Sequence, residues 1–378
     1  MKLRQNTFLD FIAVNNDNHS YNQQYSALLR VFSVQITIVI CPEIMEIESL
    51  RSRQWFKLIC GASYQHLPAI RHLAQIYTLA GADCIDMAPD PATIAAAREG
   101  IAAAMELDES VRSPLVMVSF NDGEDPHFRK AIFDPQLCPK DCPRPCEKVC
   151  PTSAIKFGSD YKGIMPSLCY GCGRCLSLCP VQIIHTREQV YIPEDIFDEV
   201  LNQKVDAIEI HTQPNRTQEF AAFWQRLSPI IPKLKLVAIS FPDCENLHDY
   251  LLSLLEGMQP KPRSLIWQTD GRPMSGDIGD GATRAALQLG QKVLDFQLPI
   301  GFVQLAGGTN ASTVPKLRQA DIPVAGVAYG SYARKIVMDF LESRGEEIPD
   351  RLEEHPCLLW QAVAIAKQLV SQIKTPSP

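Results

Sequence analysis

An α/β fold, built as a (β/α)8-barrel-like domain interrupted by one cysteine-rich insertion and followed by a C-terminal helix, is what the sequence predicts. Three observations lead there. Short apolar runs alternate with helix-period segments from Trp55 onward, eight such runs follow one another, and the alternation breaks once, over a stretch that holds eight of the thirteen cysteines. Alternation of this kind is the signature of βα units on a parallel sheet. Eight units over about 290 residues match the size of a closed barrel, with an open doubly wound sheet as the rival.

Residues 1–44 precede the pattern. Asn15 to Asn22 is polar and asparagine-rich, and neither period persists, so the segment reads as a poorly ordered extension; Met45 stands just before the regular pattern, which makes an upstream start site an equal reading. The first part of the barrel spans 51–133, with strands expected at Phe56–Cys60, Cys84–Ala88 and Leu115–Phe120 and helices at His66–Leu79 and Pro91–Met105. The insertion takes 134–190. The second part, 191–345, resumes with a helix at Pro193–Asn202 and strands at Ala207–His211, Leu236–Phe241, Ser264–Gln268, Gly301–Leu305 and Pro323–Ala328. Helices at Gln218–Leu227, Asn246–Gly257, Ala282–Leu294 and Tyr332–Glu342 separate or follow those strands. Over 355–374, Leu358, Leu359, Ala362, Val363, Ala366, Leu369, Val370 and Ile373 make one apolar stripe at helical spacing, suited to packing on the barrel's outside.

A hydrophobic content of 46% supplies a real core, and a net charge of −7 argues against nucleic acid, whose phosphates demand a basic surface. No run approaches the roughly 20 apolar residues of a membrane-spanning helix. The best stretch, Val31 to Cys41, is shorter and is broken by Ser33, Gln35 and Thr37; it also lacks the flanks of a signal peptide. In such a chain, clustered cysteines read as metal ligands before they read as disulfides. Cys41, Cys60, Cys84, Cys244 and Cys357 lie outside the cluster and read as small buried hydrophobes.

The chemistry sits between Asp134 and Ile184. Cys169-x2-Cys172-x2-Cys175-x3-Cys179-Pro180 has the spacing of the bacterial ferredoxin run, in which three thiolates on a tight loop serve one iron–sulfur cube and the fourth points to a neighbouring cube. Gly171 and Gly173 suit a loop whose backbone approaches a cluster closely. An internal repeat is visible: Cys146-Glu-Lys-Val-Cys150-Pro151 recurs 29 residues later as Cys175-Leu-Ser-Leu-Cys179-Pro180. The first motif, Cys138-x3-Cys142-x3-Cys146-x3-Cys150, has one extra residue in each of its first two gaps, which leaves a three-iron [3Fe–4S] or labile form open there. With the swap of two-cluster ferredoxins, Cys138, Cys142, Cys146 and Cys179 hold one [4Fe–4S] cluster and Cys169, Cys172, Cys175 and Cys150 hold the other. Zinc is disfavoured, since its cysteine pairs are usually a dozen or more residues apart.

Between His127 and Glu188, nine lysines and arginines face five acidic residues, so this segment carries +4 within a chain at −7. Such a patch suits an acidic redox partner such as reduced ferredoxin. On the barrel, Gly307 and Gly308 follow the seventh strand, and Gly330 and Ser331 follow the eighth. Barrels commonly bind phosphate in these two loops, which makes a flavin or another phosphorylated ligand a candidate, with tight barrel turns as the plain alternative. Arg334 and Lys335 face either that ligand or solvent. A glycine-rich loop from Asp270 to Gly281 would serve as a lid over the same face. His211, Asp86 and Asp270 stand at or near strand ends, without a nucleophile–base pair evident from spacing.

Trp55-Phe56-Lys57-Leu58-Ile59-Cys60-Gly61-Ala62-Ser63, taken with the run from Cys138 to Pro151, resembles the LdpA family, the light-dependent period proteins of cyanobacteria. The resemblance extends from about Leu50 to the C-terminal region. It implies a cytoplasmic iron–sulfur protein of the circadian input pathway that senses the redox state of photosynthetic electron transport, with the kinase CikA and the oscillator protein KaiA as partners. Three functions follow, in this order: a redox sensor, an oxidoreductase whose clusters feed a barrel-bound flavin or phosphorylated ligand, and a plain electron carrier, which leaves most of the chain without a task. Low-potential ferredoxin clusters lie near about −400 mV, so a sensor of that kind reports the reduced-ferredoxin end of electron transport.

Overall fold

The computed structural model describes residues 48–375 except 151, 160, 189–190, 203, 272–282 and 344–347. The expected extension at 1–44, the glycine-rich loop beyond Gly271 and Pro151 lie outside the described residues. Within them the chain forms a closed, all-parallel eight-stranded barrel into which a small cysteine-rich unit is inserted.

In chain order the barrel begins with β1 (Trp55–Gly61), α1 (Leu67–Ala80), β2 (Cys84–Met87), α2 (Pro91–Leu107) and β3 (Leu115–Asn121). The insertion contributes β4 (Arg129–Ile132), α3 (Pro145–Val149), β5 (Ile155–Phe157), β6 (Lys162–Ile164), α4 (Arg174–Leu178) and β7 (His185–Glu188). The barrel resumes with α5 (Phe197–Leu201), β8 (Ala207–His211), α6 (Thr217–Leu227), β9 (Leu236–Phe241), α7 (Leu247–Gly257), β10 (Leu265–Asp270) and α8 (Thr283–Asp295). It ends with β11 (Phe302–Ala306), α9 (Thr313–Gln319), β12 (Gly326–Tyr329), α10 (Ser331–Glu342) and α11 (Pro356–Lys374). The circuit runs β1-β2-β3-β8-β9-β10-β11-β12 and closes where Trp55 to Leu58 pair with Gly326 to Tyr329.

All eight barrel strands match the runs expected from the sequence, because strands buried on both faces of a parallel sheet are nearly continuous apolar segments. Two helical elements differ. Pro193–Asn202 is a 3-10 turn, Pro193–Ile196, leading into the five-residue α5. The seven-residue α9 was not expected, since Pro315 in its first turn and its brevity hide any period. The C-terminal stripe is buried except at Leu358, which is half-buried: Leu359, Ala362, Val363, Ala366, Leu369, Val370 and Ile373 pack α11 against α1 and α10.

Side chains on alternate strand positions point into the barrel, and the interior is layered along its axis. At the amino-terminal end Trp55, Leu115, Met117, Leu236 and Ile266 form an apolar plug. Above it Lys57, Asp86, Glu209, Gln268 and Gln304 are all buried. Barrel interiors are ordinarily filled by branched aliphatic residues, so this polar layer departs from what packing alone demands. The larger apolar core lies between the strands and the surrounding helices, from Phe56 and Leu58 through Trp224 and Trp267 to Val337.

The insertion is docked on the carboxyl end of β1. Lys130 Nζ donates to Gln65 Oε1 (2.7 Å) and Pro166 O (2.8 Å), the Gln65 amide donates to Ser167 O (3.2 Å), and Tyr170 meets Tyr64 edge-on. Among the described residues no helix is long and apolar enough to cross a membrane.

Candidate functional site

The sequence repeat in the insertion is also a repeat of backbone geometry. α3 and α4 are each preceded by a left-handed residue, Arg144 (φ 52°) and Gly173 (φ 75°), and each ends on a cysteine cap, Cys150 and Cys179. Three residues past each cap, Ser153 (φ 49°) and Gln182 (φ 53°) repeat the left-handed turn. Gly173 takes that conformation without strain; Arg144 is held there with its guanidinium 4.3 Å over the Phe157 ring. Strand pairing is antiparallel, β4 with β7 and β5 with β6, so the first strand of the unit closes on the last.

This arrangement sorts the eight thiols into two quartets. Cys138, Cys142, Cys146 and Cys179 influence one another electrostatically, and so do Cys150, Cys169, Cys172 and Cys175. The second four line one small cavity with Ala131, Ile155 and Ile164. Amide N–H groups aim at the sulfurs: Ala154 donates to Cys150 Sγ (3.2 Å) and Ala131 to Cys169 Sγ (3.4 Å). Burial raises the Cys179 pKa, and the backbone that follows it, residues 181–184, outweighs that and holds the thiol low. Burial and the neighbouring sulfurs push Cys175 up to about 12. Four thiolates therefore share such a space only when cations neutralise them.

The quartets fit an iron–sulfur cluster better than a single ion. Tetrahedral zinc at about 2.3 Å from sulfur brings thiolates to roughly 3.8 Å of one another. Among the described residues, the groups whose metal-ligating atoms lie within 4.8 Å of one another include no cysteine. Cysteines, apolar lining and amide donors are what an iron–sulfur cluster requires.

A second site opens at the carboxyl end of the barrel, beside the insertion. A cavity of about 110 Å³ is lined by Glu209, His211, Ser240, Gln268 and Asp270 from the barrel, by Gly307, Gly308 and Gly330 from the last two loops, by Ser331 and Arg334 from the first turn of α10, by Tyr170 and Cys172 from the insertion and by His127 just before it. The structure thus brings all four residues of the sequence-derived phosphate site to one cavity. Gly307 (φ 61°) and Gly308 (φ 91°) occupy the left-handed region that favours glycine. Gly330 does not: its φ is −102°, and a Cβ there meets nothing closer than 3.7 Å. Arg334 faces this cavity, donates to Ile59 O (2.8 Å) and stacks 4.4 Å from the Tyr170 ring centroid, whereas Lys335 pairs with Asp339 on the same helix.

Beneath the cavity a hydrogen-bonded chain runs through the polar layer. Trp55 Nε1 donates to Gln304 Oε1 (2.6 Å), Gln304 Nε2 to Gln268 Oε1 (2.6 Å), and Gln268 Nε2 to Glu209 Oε1 (2.6 Å). Glu209 pairs with Lys57 and with His211 Nε2 (2.7 Å), Lys57 also lies 3.4 Å from Asp86, and Ser119 donates to Asp86 (2.7 Å). Burial lifts Asp86 to about 6 despite Lys57. For Glu209 burial acts the same way, but Lys57 and His211 outweigh it and hold the carboxyl low.

His127 and Asp125 complete the mouth, and sequence reasoning missed both, along with Lys57 and Glu209. One signal was available for the latter: a charged residue in the middle of a buried parallel strand, as in Ala207-Ile-Glu-Ile-His211 and Trp55-Phe-Lys-Leu-Ile-Cys60, has to point into the barrel.

Comparison with known proteins is consistent with this division. Residues 138–190 match the model of the LdpA Fe-S cluster-binding domain, and residues 199–372 match the Light dependent period A C-terminal domain. The chain is 48% identical over 335 residues to Light dependent period A of Synechococcus elongatus, spanning 87% of this chain and 93% of that protein. A ferredoxin of Alicyclobacillus acidocaldarius is 44% identical over 46 residues, 12% of this chain and 56% of the ferredoxin. Among solved structures, a tryptophan synthase from M. tuberculosis shares 11% identity over 87% of this chain and 97% of its own, with a TM-score of 0.43, a level that carries no functional information.

Proposed function

The chain belongs to the light dependent period A family of iron–sulfur proteins, and on that premise we propose that it is a cytoplasmic redox sensor. In this reading it couples the redox state of photosynthetic electron transport to light-dependent adjustment of circadian period. Cys138, Cys142, Cys146 and Cys179 would hold one [4Fe–4S] cluster, and Cys150, Cys169, Cys172 and Cys175 the other. Bound there, each cluster supplies a one-electron redox centre. CikA and KaiA are the proposed readers of the state. An acidic donor such as ferredoxin is the proposed source of electrons, docking on the basic insertion.

One observation carries the sensor reading: Cys172 and Tyr170 line both the cavity of the second quartet and the cavity at the barrel mouth. A change of charge at that quartet is therefore felt where the barrel would hold an anion. One unit of charge within a Debye length, about 8 Å, shifts the binding of an anion by roughly 2 kcal/mol at an effective dielectric near 20. Arg334, stacked on Tyr170 and facing the same cavity, supplies a positive charge between the two. The test is phosphate affinity of the anaerobically prepared full-length protein, measured in its oxidised and dithionite-reduced forms. Weaker binding on reduction, by tenfold or more, supports the reading; equal affinities sink it.

A second reading, an oxidoreductase with a flavin or other phosphorylated ligand in the barrel, is favoured by Gly307, Gly308 and Ser331 sharing a cavity with His211 and Asp270. Flavin absorbance in protein isolated without reconstitution would select it.

A further inference from the structure

At the barrel mouth three side chains of ligating type converge from separate parts of the chain. Asp125 and His127 come from the segment between β3 and β4, and His211 ends β8. The oxygen and ring nitrogens they offer all lie within 4.8 Å of one another. Asp125 Oδ1 is 2.8 Å from His127 Nδ1 and 3.8 Å from His211 Nδ1. Both imidazoles line the cavity, while the Asp125 carboxylate is buried behind them.

We propose that Asp125, His127 and His211 form a mononuclear site for a divalent first-row transition metal, such as Fe2+, Mn2+ or Zn2+, whose remaining coordination positions open on the barrel-mouth cavity. The donor set is two imidazoles and one carboxylate, which suits these ions and leaves positions for water or an anionic oxygen ligand.

The surrounding shell is what such a site needs. A metal-bound histidine ordinarily gives its other nitrogen to a carboxylate, which fixes the ring and its tautomer. His211 Nε2 is 2.7 Å from Glu209 Oε1, and Glu209 is anchored by Lys57 and Gln268. That leaves His211 Nδ1 facing the site. His127 Nε2 lies 3.5 Å from Asp270 Oδ2, which leaves its Nδ1 facing Asp125. Asp125 is oriented in turn: Gln213 Nε2 donates to Oδ2 (2.8 Å), and the His127 amide donates to Oδ1 (2.8 Å). Every ligand is thus aimed by a second group.

Ion pairing alone explains the arrangement less well. It would require two imidazolium rings with centroids 5.0 Å apart at a largely buried position, where like charges repel. A divalent ion between the rings supplies the positive charge that the neighbouring carboxylates of Asp125, Glu209 and Asp270 favour there, while both rings stay neutral. The site uses no cysteine, so it stands whether or not the thiol quartets hold iron.

The test uses the full-length protein with its iron–sulfur clusters oxidised and Mn2+ as the probe, because thiolates bind that ion weakly and oxidised [4Fe–4S] clusters are diamagnetic. Mn2+ binding is read from the loss of the free-ion electron paramagnetic resonance signal. One Mn2+ per chain is expected, with affinity lowered at least tenfold in His211→Ala and in Asp125→Asn. Gln213→Ala, which removes only the orienting amide, is expected to weaken binding several-fold, and it covers the case in which a ligand variant does not fold. Iron and sulfide contents equal to wild type show that each variant retains its insertion. A wild-type protein that leaves the free Mn2+ signal unchanged at millimolar concentration overturns the proposal, as do His211→Ala and Gln213→Ala proteins that bind as tightly as wild type.

Discussion

The cysteine-rich insertion and the barrel mouth touch each other, yet they are built in opposite ways. In the insertion, eight thiols come from one continuous stretch, Cys138 to Cys179, and the local apolar core is small and partly made of the cysteines themselves. The barrel mouth collects Gly61, His127, His211, Asp270, Gly307 and Arg334 from across the chain, on strands fixed by a large apolar core. One region places its chemistry by spacing along the chain, and the other by closure of a sheet. The first should therefore depend on its cofactor for stability, and the second on its packing and on its buried charges.

The largest expected effect separates the regions outright. Cys175→Ala removes one thiol of the second quartet, and about half of the bound iron should go with it, while the barrel keeps its cooperative thermal transition. Iron and sulfide analysis alongside calorimetry checks this. Loss of all iron together with the barrel transition would make the two regions one. Next in size is Lys57→Met, which leaves Glu209 and Asp86 buried without their cation. It should cost the barrel about 3–5 kcal/mol in urea unfolding, with iron per folded chain unchanged.

A smaller contrast lies within the mouth itself. Gly307→Val forces a branched side chain into a left-handed position and should cost about 1–2 kcal/mol. Gly330→Ala, at a negative φ and with nothing closer than 3.7 Å to a Cβ, should cost less than Gly307→Val. Equal costs at the two glycines would contradict the geometry assigned to this loop pair.

The smallest effect concerns the attachment of the C-terminal region to the barrel. Burial acts to raise the Glu353 pKa, but its bonds to Arg71, Gln75 and Arg351 outweigh it and hold the carboxyl at about 2, below its ordinary 4.5. The folded state then binds its proton later than the unfolded state as pH falls. Stability from this carboxylate is complete above about pH 4.5 and is lost between there and about pH 2. At pH 4 the wild type should have lost about 1 kcal/mol relative to pH 7 through this group, a loss absent from Glu353→Gln. Urea unfolding of both proteins at the two pH values reads the difference.

What could be read from the sequence follows the same division. The barrel strands were legible because each is a continuous apolar run, and the thiols because their spacing is itself the signal. Gly307, Gly308, Gly330 and Ser331 were legible as a group, since the loops after the last two strands must meet once a barrel closes. His127 and Asp125 were not, because they sit just before the insertion with no period or motif around them, and only the register of β3 with β8 brings them to His211. Lys57 and Glu209 were hidden by their strands' apolar neighbours, although a charge inside such a strand is itself a warning. The left-handed turns at Ser153 and Gln182, matched across the repeat, have no residue signature at all.

The central claim is that one thiol quartet is coupled to the barrel mouth and the other is not. Potentiometric titration of wild type and Arg334→Ala, followed by electron paramagnetic resonance, tests it most directly. Arg334 is a positive charge beside Tyr170 and Cys172, and a positive charge favours the reduced, more negative centre. Its removal should lower the potential of one of two centres by roughly 20–40 mV, for a contribution of about 0.5–1 kcal/mol, and leave the other in place. Two centres that shift equally, or that do not shift at all, would contradict the account.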